Sequence, residues 1–147
     1  MANDDRVPEN SLRDFISGRI VRAGAEEVEA VQPYSRILVE DFGYPKQHIQ
    51  TRPQFKVKAR PSDTKKEYPV DITVFRGDSR DDSDAYIIVE CKKKSRTDGR
   101  KQLEIYLTLS NASIGVWYNG KDTLYLHKRY EQGGQVFFDA STRSCGA

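Results

Sequence analysis

The run Ala85-Tyr86-Ile87-Ile88-Val89-Glu90-Cys91-Lys92 constrains the fold of this chain more than any other stretch. It reads as a strand, and side chains alternate across a strand, so Ile87, Val89 and Cys91 share one face while Ile88, Glu90 and Lys92 share the other. Glu90 and Lys92 therefore project together. The preceding strand, Tyr68 to Arg76, sets Val70, Ile72 and Val74 on an apolar face and leaves Asp71 opposite, in the middle of a run otherwise suited to burial. If the two strands pair side by side, Asp71 and Glu90 converge, and two close carboxylates repel unless they share a proton or bind a cation. Hard oxygen ligands of this kind suit Mg²⁺, which is held by one or two carboxylates and a substrate phosphate. From charge and spacing alone, an ordinary cross-strand ion pair is the competing reading.

Around these strands the pattern predicts a loose polar terminus over residues 1–10, one domain over 11–140 and a polar tail over 141–147. A first helix is expected from Ser11 as N-cap through Leu12, Phe15, Ile16 and Ile20, and a second from Ala25 to Phe42, kinked or restarted at Pro33 and ended by Gly43. Ile49 to Ala59 alternates Phe55, Val57 and Ala59 with lysines, as in a strand with one wet face, and a polar turn follows over 61–67. Arg100 to Ser110 reads as a helix with Leu103, Tyr106 and Leu107 on its buried side. Strands at Ile114 to Tyr118 and Thr123 to Lys128, joined through Asn119 and Gly120, and a last strand at Gln135 to Phe138 complete the order. Helix, three strands, helix and further strands predict an α/β domain with a mixed sheet flanked by helices, in which the Arg100 helix crosses between two parallel strands.

At 147 residues the chain can bury roughly two thirds of its unfolded surface without disulfides or structural metals. Charged residues make up 31% and hydrophobic ones 37%, with no apolar stretch of membrane-spanning length, so a soluble cytoplasmic protein with no membrane partner is expected. Cys91 and Cys145 are expected as reduced thiols, and the isolated His48 and His127 offer no zinc spacing. The net charge of +2 says little, but its distribution says more: Lys92, Lys93, Lys94, Arg96, Arg100 and Lys101 crowd one segment after the acidic loop Asp78 to Asp84. Lys93, Lys94, Arg96 and Arg100 are the candidate phosphate contacts, against the plain alternative of a solvated basic run. Trp117 and Tyr118 could stack on bases, but aromatic residues in a strand are more often core.

Asp71 in Tyr68-Pro69-Val70-Asp71-Ile72, followed by Val89-Glu90-Cys91-Lys92, resembles the PD-(D/E)XK nuclease motif, with proline two places before the aspartate instead of one. Gln102 and Tyr106, four apart on one helix face, are similar to the glutamine-X-X-X-tyrosine motif of the RecB-like branch. From about Ala25 to about Lys128, including Phe42-Gly43-Tyr44-Pro45 and Gly115-Val116-Trp117-Tyr118-Asn119-Gly120, the chain is similar to the N-terminal nuclease domain of type I restriction enzyme R subunits. The resemblance implies a restriction-endonuclease-like fold and Mg²⁺-dependent DNA cleavage, with Mn²⁺ able to substitute. Asp71, Glu90 and the Cys91 carbonyl would hold the ion, Lys92 would stabilise developing charge, and Gln102 and Tyr106 would position the strand. An acid on the early helix joins the site in that family; Glu27 is the best match here, with Glu26 and Glu29 as alternatives. DNA, translocase domains and methylation and specificity subunits are the implied partners. The chain has no GxxxxGK[ST] loop, so the motor part is not within it and an excised domain or a short stand-alone relative is expected. The rivals are a DNA-binding module of the same fold that does not cleave and a scaffold domain with an incidental ion pair.

Overall fold

Strands with apolar residues on both faces need a cover on each side, and the chain provides two helices for them. The computed structural model describes residues 6–58 and 67–144. Residues 1–5, most of the expected turn over 61–67 and Cys145 lie outside the described residues. The elements are β1 (Ser11–Arg13), β2 (Ile20–Arg22), a helix α1 over 25–41, β3 (Ile49–Gln50), β4 (Phe55–Lys58), β5 (Glu67–Val70), β6 (Ile72–Phe75), β7 (Ala85–Cys91), α2 (Arg100–Leu109), β8 (Ile114–Tyr118), β9 (Asp122–Tyr130) and β10 (Val136–Ser144). Six strands form one mixed sheet in the order β10-β9-β8-β7-β6-β3, so the fold is α/β as expected. The crossover through α2 makes β7 and β8 parallel, and the other neighbours in the sheet are antiparallel.

The alternation read from the sequence decides which helix covers which face. Ile87, Val89 and Cys91 join Ile72, Val74 and Val116 under Ala30, Val31, Tyr34 and Leu38 of α1. Ile88 joins Phe75 and Leu126 on the side of Leu103, Tyr106 and Leu107 of α2. Trp117 and Tyr118 are buried as core residues. Lys128, on the same face of β9 as the buried Leu124 and Leu126, is itself buried, because its Nζ donates to the carbonyls of Leu107 and Ser110 at 2.8 Å each and so caps the negative end of α2.

Four local expectations fail, each for a physical reason. The helix expected from Ser11 is the β1–β2 hairpin, because the buried Asp14 takes the Ser17 N–H and hydroxyl on Oδ2 at 2.8 and 2.7 Å and holds a turn in place of a helical repeat. The strand expected from Ile49 breaks between β3 and β4 at the segment containing Pro53, which has no N–H to give a ladder. The strand expected over Tyr68 to Arg76 bends at Asp71, so Val70 packs on the α2 side while Ile72 and Val74 pack on the α1 side; the expected common face of the three does not form. Finally β10 runs on to Ser144, beyond the expected end at Phe138, because β9 supplies backbone partners where the apolar pattern has stopped.

Pro33 does not break α1. It sits in the first turn of an α-helical segment, Gln32–Arg36, flanked by wider π-type turns at Glu27–Val31 and Ile37–Asp41, and the missing N–H falls where the hydrogen-bond spacing changes. Glu29 is the residue whose carbonyl a helical N–H at position 33 would bind, and the Asn119–Lys121 turn packs against it. A β-carbon on Gly120 would lie 2.4 Å from that carbonyl oxygen, and Gly120 has φ +85°. Gly120→Ala is therefore expected to destabilise the domain by about 1–3 kcal/mol, read by chemical denaturation, whereas a change near zero would mean that the turn lifts off α1 freely.

Candidate active site

Asp71 owes its position to the break between β5 and β6. Its Oδ2 accepts the Cys91 N–H at 2.8 Å, standing in for a backbone acceptor at the end of β7, and its Oδ1 accepts from Gln54 Nε2 at 3.3 Å. Glu90, one residue earlier on β7, is 6% exposed and lies 3.7 Å through Oε1 from Lys92 Nζ. Lys92 is pinned by its own N–H to the Tyr118 carbonyl at 3.0 Å. Its side chain crosses Gly99, where a β-carbon would come within 2.9 Å of Lys92 Cε and 3.2 Å of Trp117 Nε1; φ is +111° there. Gly99 thus clears the path of the lysine, a role that the sequence disguised as an ordinary turn residue.

Burial dominates the electrostatics. It pushes the Asp71 carboxyl up to about 7, opposed by the Cys91 N–H and helped by the charge of Glu26. Burial and the neighbouring Asp71 push Glu90 up to about 8 against the pull of Lys92. Asp71 and Glu90 are thus close enough for the charge of Asp71 to raise Glu90 across β6 and β7. Burial also drives the Cys91 thiol well upward, so it remains a protonated core residue.

On α2 the expected face forms: Leu103 and Leu107 are fully buried against the sheet, and Gln102 Nε2 donates to the Tyr106 hydroxyl. Burial and the field of Glu90, with a further contribution from Asp71, raise the Tyr106 hydroxyl, which sets it beside the carboxyl pair. Its ring packs against Tyr68 at 5.6 Å between centroids.

The three early-helix glutamates have different surroundings. Glu27 is buried and committed to the protein, taking Arg52 Nη2 at 3.0 Å and Gln32 Nε2 at 2.8 Å. Glu29 Oε1 accepts the Lys94 N–H at 3.2 Å. Glu26 is half-buried, its carboxyl is raised by desolvation against the pull of Lys92, and its charge acts on both Asp71 and Glu90. Among the described residues no group of three or more carboxylate, histidine or cysteine side chains converges as a ready-made metal cage.

The basic run is exposed as expected but partly neutralised: Arg96 is paired with Asp98, and Arg100 Nε with Glu104 at 3.1 Å. Sequence reasoning missed a polar network behind the site. Asp14 accepts Thr51 Oγ1 at 2.5 Å and Gln32 Nε2 at 2.7 Å, and Gln32 leads on to Glu27 and Arg52. Only an aspartate inside an apolar stretch, Asp14, signalled it, because its partners lie 18 to 37 residues away.

These observations define a mixed-sheet α/β domain with two carboxyls raised by burial and a lysine at adjacent central strands. A family model described as Type I restriction enzyme R protein N terminus (HSDR_N) matches residues 26–140, and the chain belongs to this family. That gives it a role in a type I restriction enzyme, a multisubunit restriction system directed at DNA. No curated protein and no solved structure matches the chain. Among the described residues no helix is long and apolar enough to cross a membrane.

The raised carboxyls have a thermodynamic consequence. Asp71 and Glu90 bind protons more tightly in the folded chain than at their ordinary values of 3.8 and 4.5. Their contribution to stability is therefore complete at about pH 4 and below and is lost as pH rises to about 8. In a metal chelator, the wild-type Tm should fall over that interval relative to Asp71→Asn and Glu90→Gln, which keep the shape and remove the titration. Parallel Tm profiles for wild type and both variants would contradict the raised carboxyls.

Proposed function

We propose that this domain is the Mg²⁺-dependent DNA endonuclease of a type I restriction enzyme R subunit, built on the PD-(D/E)XK plan with the glutamine-X-X-X-tyrosine helix. The observation that carries the reading is the pair of shielded carboxyls, Asp71 and Glu90, both raised by burial, with the charge of Asp71 raising Glu90 further and Lys92 Nζ 3.7 Å from Glu90. A structural ion pair would gain nothing from a second buried acid, whereas a divalent cation reverses the repulsion of both. The donor chemistry fits Mg²⁺, which takes one or two carboxylates and keeps other positions for water and phosphate; the Cys91 carbonyl is the third oxygen proposed. Mn²⁺ suits the same donors. When bound, the ion polarises the phosphate and lowers the pKa of the attacking water.

In this reading the chain's own residues do the rest. Lys92, with its backbone tied to β8 and its stem confined by Gly99, presents a point charge to the oxygens on which negative charge develops. Tyr106, already bonded to Gln102, offers a hydroxyl at the carboxyl edge to orient the DNA strand. Glu26 is the early-helix acid best supported for the site, since Glu27 is engaged with Arg52 and Gln32. Lys93, Lys94, Arg96 and Arg100 remain proposed phosphate contacts, with Arg96 and Arg100 weakened in that role by their acidic partners. Translocase domains and the methylation and specificity subunits are the proposed partners, in the cytoplasm.

Incubation of the pure domain with plasmid tests the reading directly. Nicking or linearisation is expected with Mg²⁺ or Mn²⁺ and not with chelator, and Asp71→Asn, Glu90→Gln and Lys92→Ala should each abolish it without lowering the Tm measured at pH 5. DNA binding without any cleavage, with either metal, would leave a non-cleaving module of the same fold. Tyr106→Phe keeps the ring and removes only the hydroxyl, and should cut the cleavage rate about tenfold, equivalent to roughly 1.4 kcal/mol of transition-state stabilisation. A wild-type rate for Tyr106→Phe would remove α2 from the chemistry.

A further inference from the structure

Behind the carboxyl pair the surface opens into a groove of about 680 Å³, with Lys46, Arg52 and Arg80 on its walls and Ile49 and Pro53 among its apolar lining. A second depression of about 490 Å³ shares Ile16, Ser17 and Lys46 with it and adds Arg13 and Arg36. Five cations from the β1–β2 hairpin, α1, the turn before β3, the β3–β4 connection and the β6–β7 loop thus border one continuous trough. None of these positions falls in the basic run read from the sequence.

Among the described residues lining the trough Asp14 is the one carboxylate, while the exposed Asp81 and Asp82 of the loop that carries Arg80 lie outside the lining. Asp14 is saturated by Ser17, Thr51 and Gln32; Glu27 holds Arg52; Asp78 turns to His48 at 3.1 Å; Glu40 reaches Arg36 at 3.4 Å. Among the described residues Arg13, Lys46 and Arg80 have no carboxylate within ion-pair distance. Lys46 Nζ and Arg36 Cζ moreover converge on the same Phe15 ring, at 4.0 and 4.3 Å from its centre. Two cations held on one ring repel each other, and an anion near both lowers that repulsion.

The trough is joined to the carboxyl pair by four residues of chain. Thr51, Arg52 and Pro53 line it, and the next residue, Gln54, donates to Asp71. The geometry points to this trough as a seat for the sugar-phosphate backbone of DNA flanking the bond to be cut, with Lys46 and Arg80 as phosphate contacts that carry no base specificity. The assignment rests on the nuclease reading for its direction, toward Asp71, but not for its chemistry: an alternating polyanion with an apolar sugar face matches a cationic wall over an apolar floor.

Binding of a labelled duplex in chelator, where no cleavage occurs, tests the trough apart from catalysis. Lys46→Ala and Arg80→Ala, both at exposed positions, should each lower the salt slope of binding by about one unit and weaken all sequences alike, and together should cost at least tenfold in affinity at unchanged Tm. Arg129→Ala, whose guanidinium is paired with Glu131 and Asp139 on the far strands, should change neither quantity. If the double variant binds DNA with wild-type affinity and slope while the wild type cleaves plasmid, the trough is not a DNA seat and the nuclease reading stands. If the variants lose affinity but no metal gives cleavage, the trough stands and the nuclease reading fails. Wild-type protein with no affinity for duplex DNA overturns the trough, and so does Lys46-dependent binding of polyglutamate with DNA affinity unaffected, which would assign it to an acidic protein segment.

Discussion

The hydrogen bond from the Cys91 N–H to the Asp71 carboxylate is the contact on which the arrangement of this domain turns. A backbone donor at the end of a central strand needs an acceptor, and here a side chain provides it. That substitution requires the neighbouring strand to end one residue early, so β5 and β6 separate at Asp71 and the chain changes sheets. Val70 thereby packs toward α2 while Ile72 packs toward α1, and the aspartate is left between the two cores. The same bond ties Asp71 to the residue after Glu90, where its charge raises the Glu90 carboxyl. Fold and candidate site are consequences of one local exchange.

The energetic character of the site follows from burial more than from charge. Lys92 lies beside Glu90, yet both carboxyls are raised, because desolvation, with the charge of neighbouring acids, outweighs one lysine. A chain that only needed an ion pair at this place would do better with a single acid. The rigid surroundings matter as much: Lys92 is tied to β8, Tyr106 to Gln102, and Glu27 to Arg52 and Gln32, so few of these groups are free to rearrange and relieve the strain between the acids.

Behind the site, the network from Asp14 through Gln32 to Glu27 and Arg52 ties the β1–β2 hairpin, α1 and the β3–β4 connection together. It also engages the carboxylates of Asp14 and Glu27. The acids near the hairpin are paired or saturated while Lys46 and Arg80 have no acid of their own, which gives a chain of small net charge a locally cationic surface. By contrast, the basic run after β7 loses part of its charge to Asp98 and Glu104.

Period-two alternation in Ala85–Cys91 determined by itself which residues face α1 and which face α2, and helical spacing determined that Leu103 and Leu107 anchor α2 while Gln102 and Tyr106 lie together. Those are local periodicities, so one sequence carries them in full, and with them the Glu90 and Lys92 grouping, whereas Asp71 joins it through the break between β5 and β6. What the local pattern could not carry was decided by partners distant in the chain. Thr51 and Gln32 hold in place the Asp14 whose bonds to Ser17 make a hairpin of an apparent helix; β10 extends through polar residues because β9 lies alongside; a lysine occupies the buried face of β9 at 128 because the end of α2 needs a cation. The choice among Glu26, Glu27 and Glu29 turns on Arg52, 25 residues beyond Glu27, and the trough exists only because three loops and a hairpin meet there. A side chain's spacing is written in its neighbours in sequence, but its charge state and its partner belong to whatever the fold brings against it.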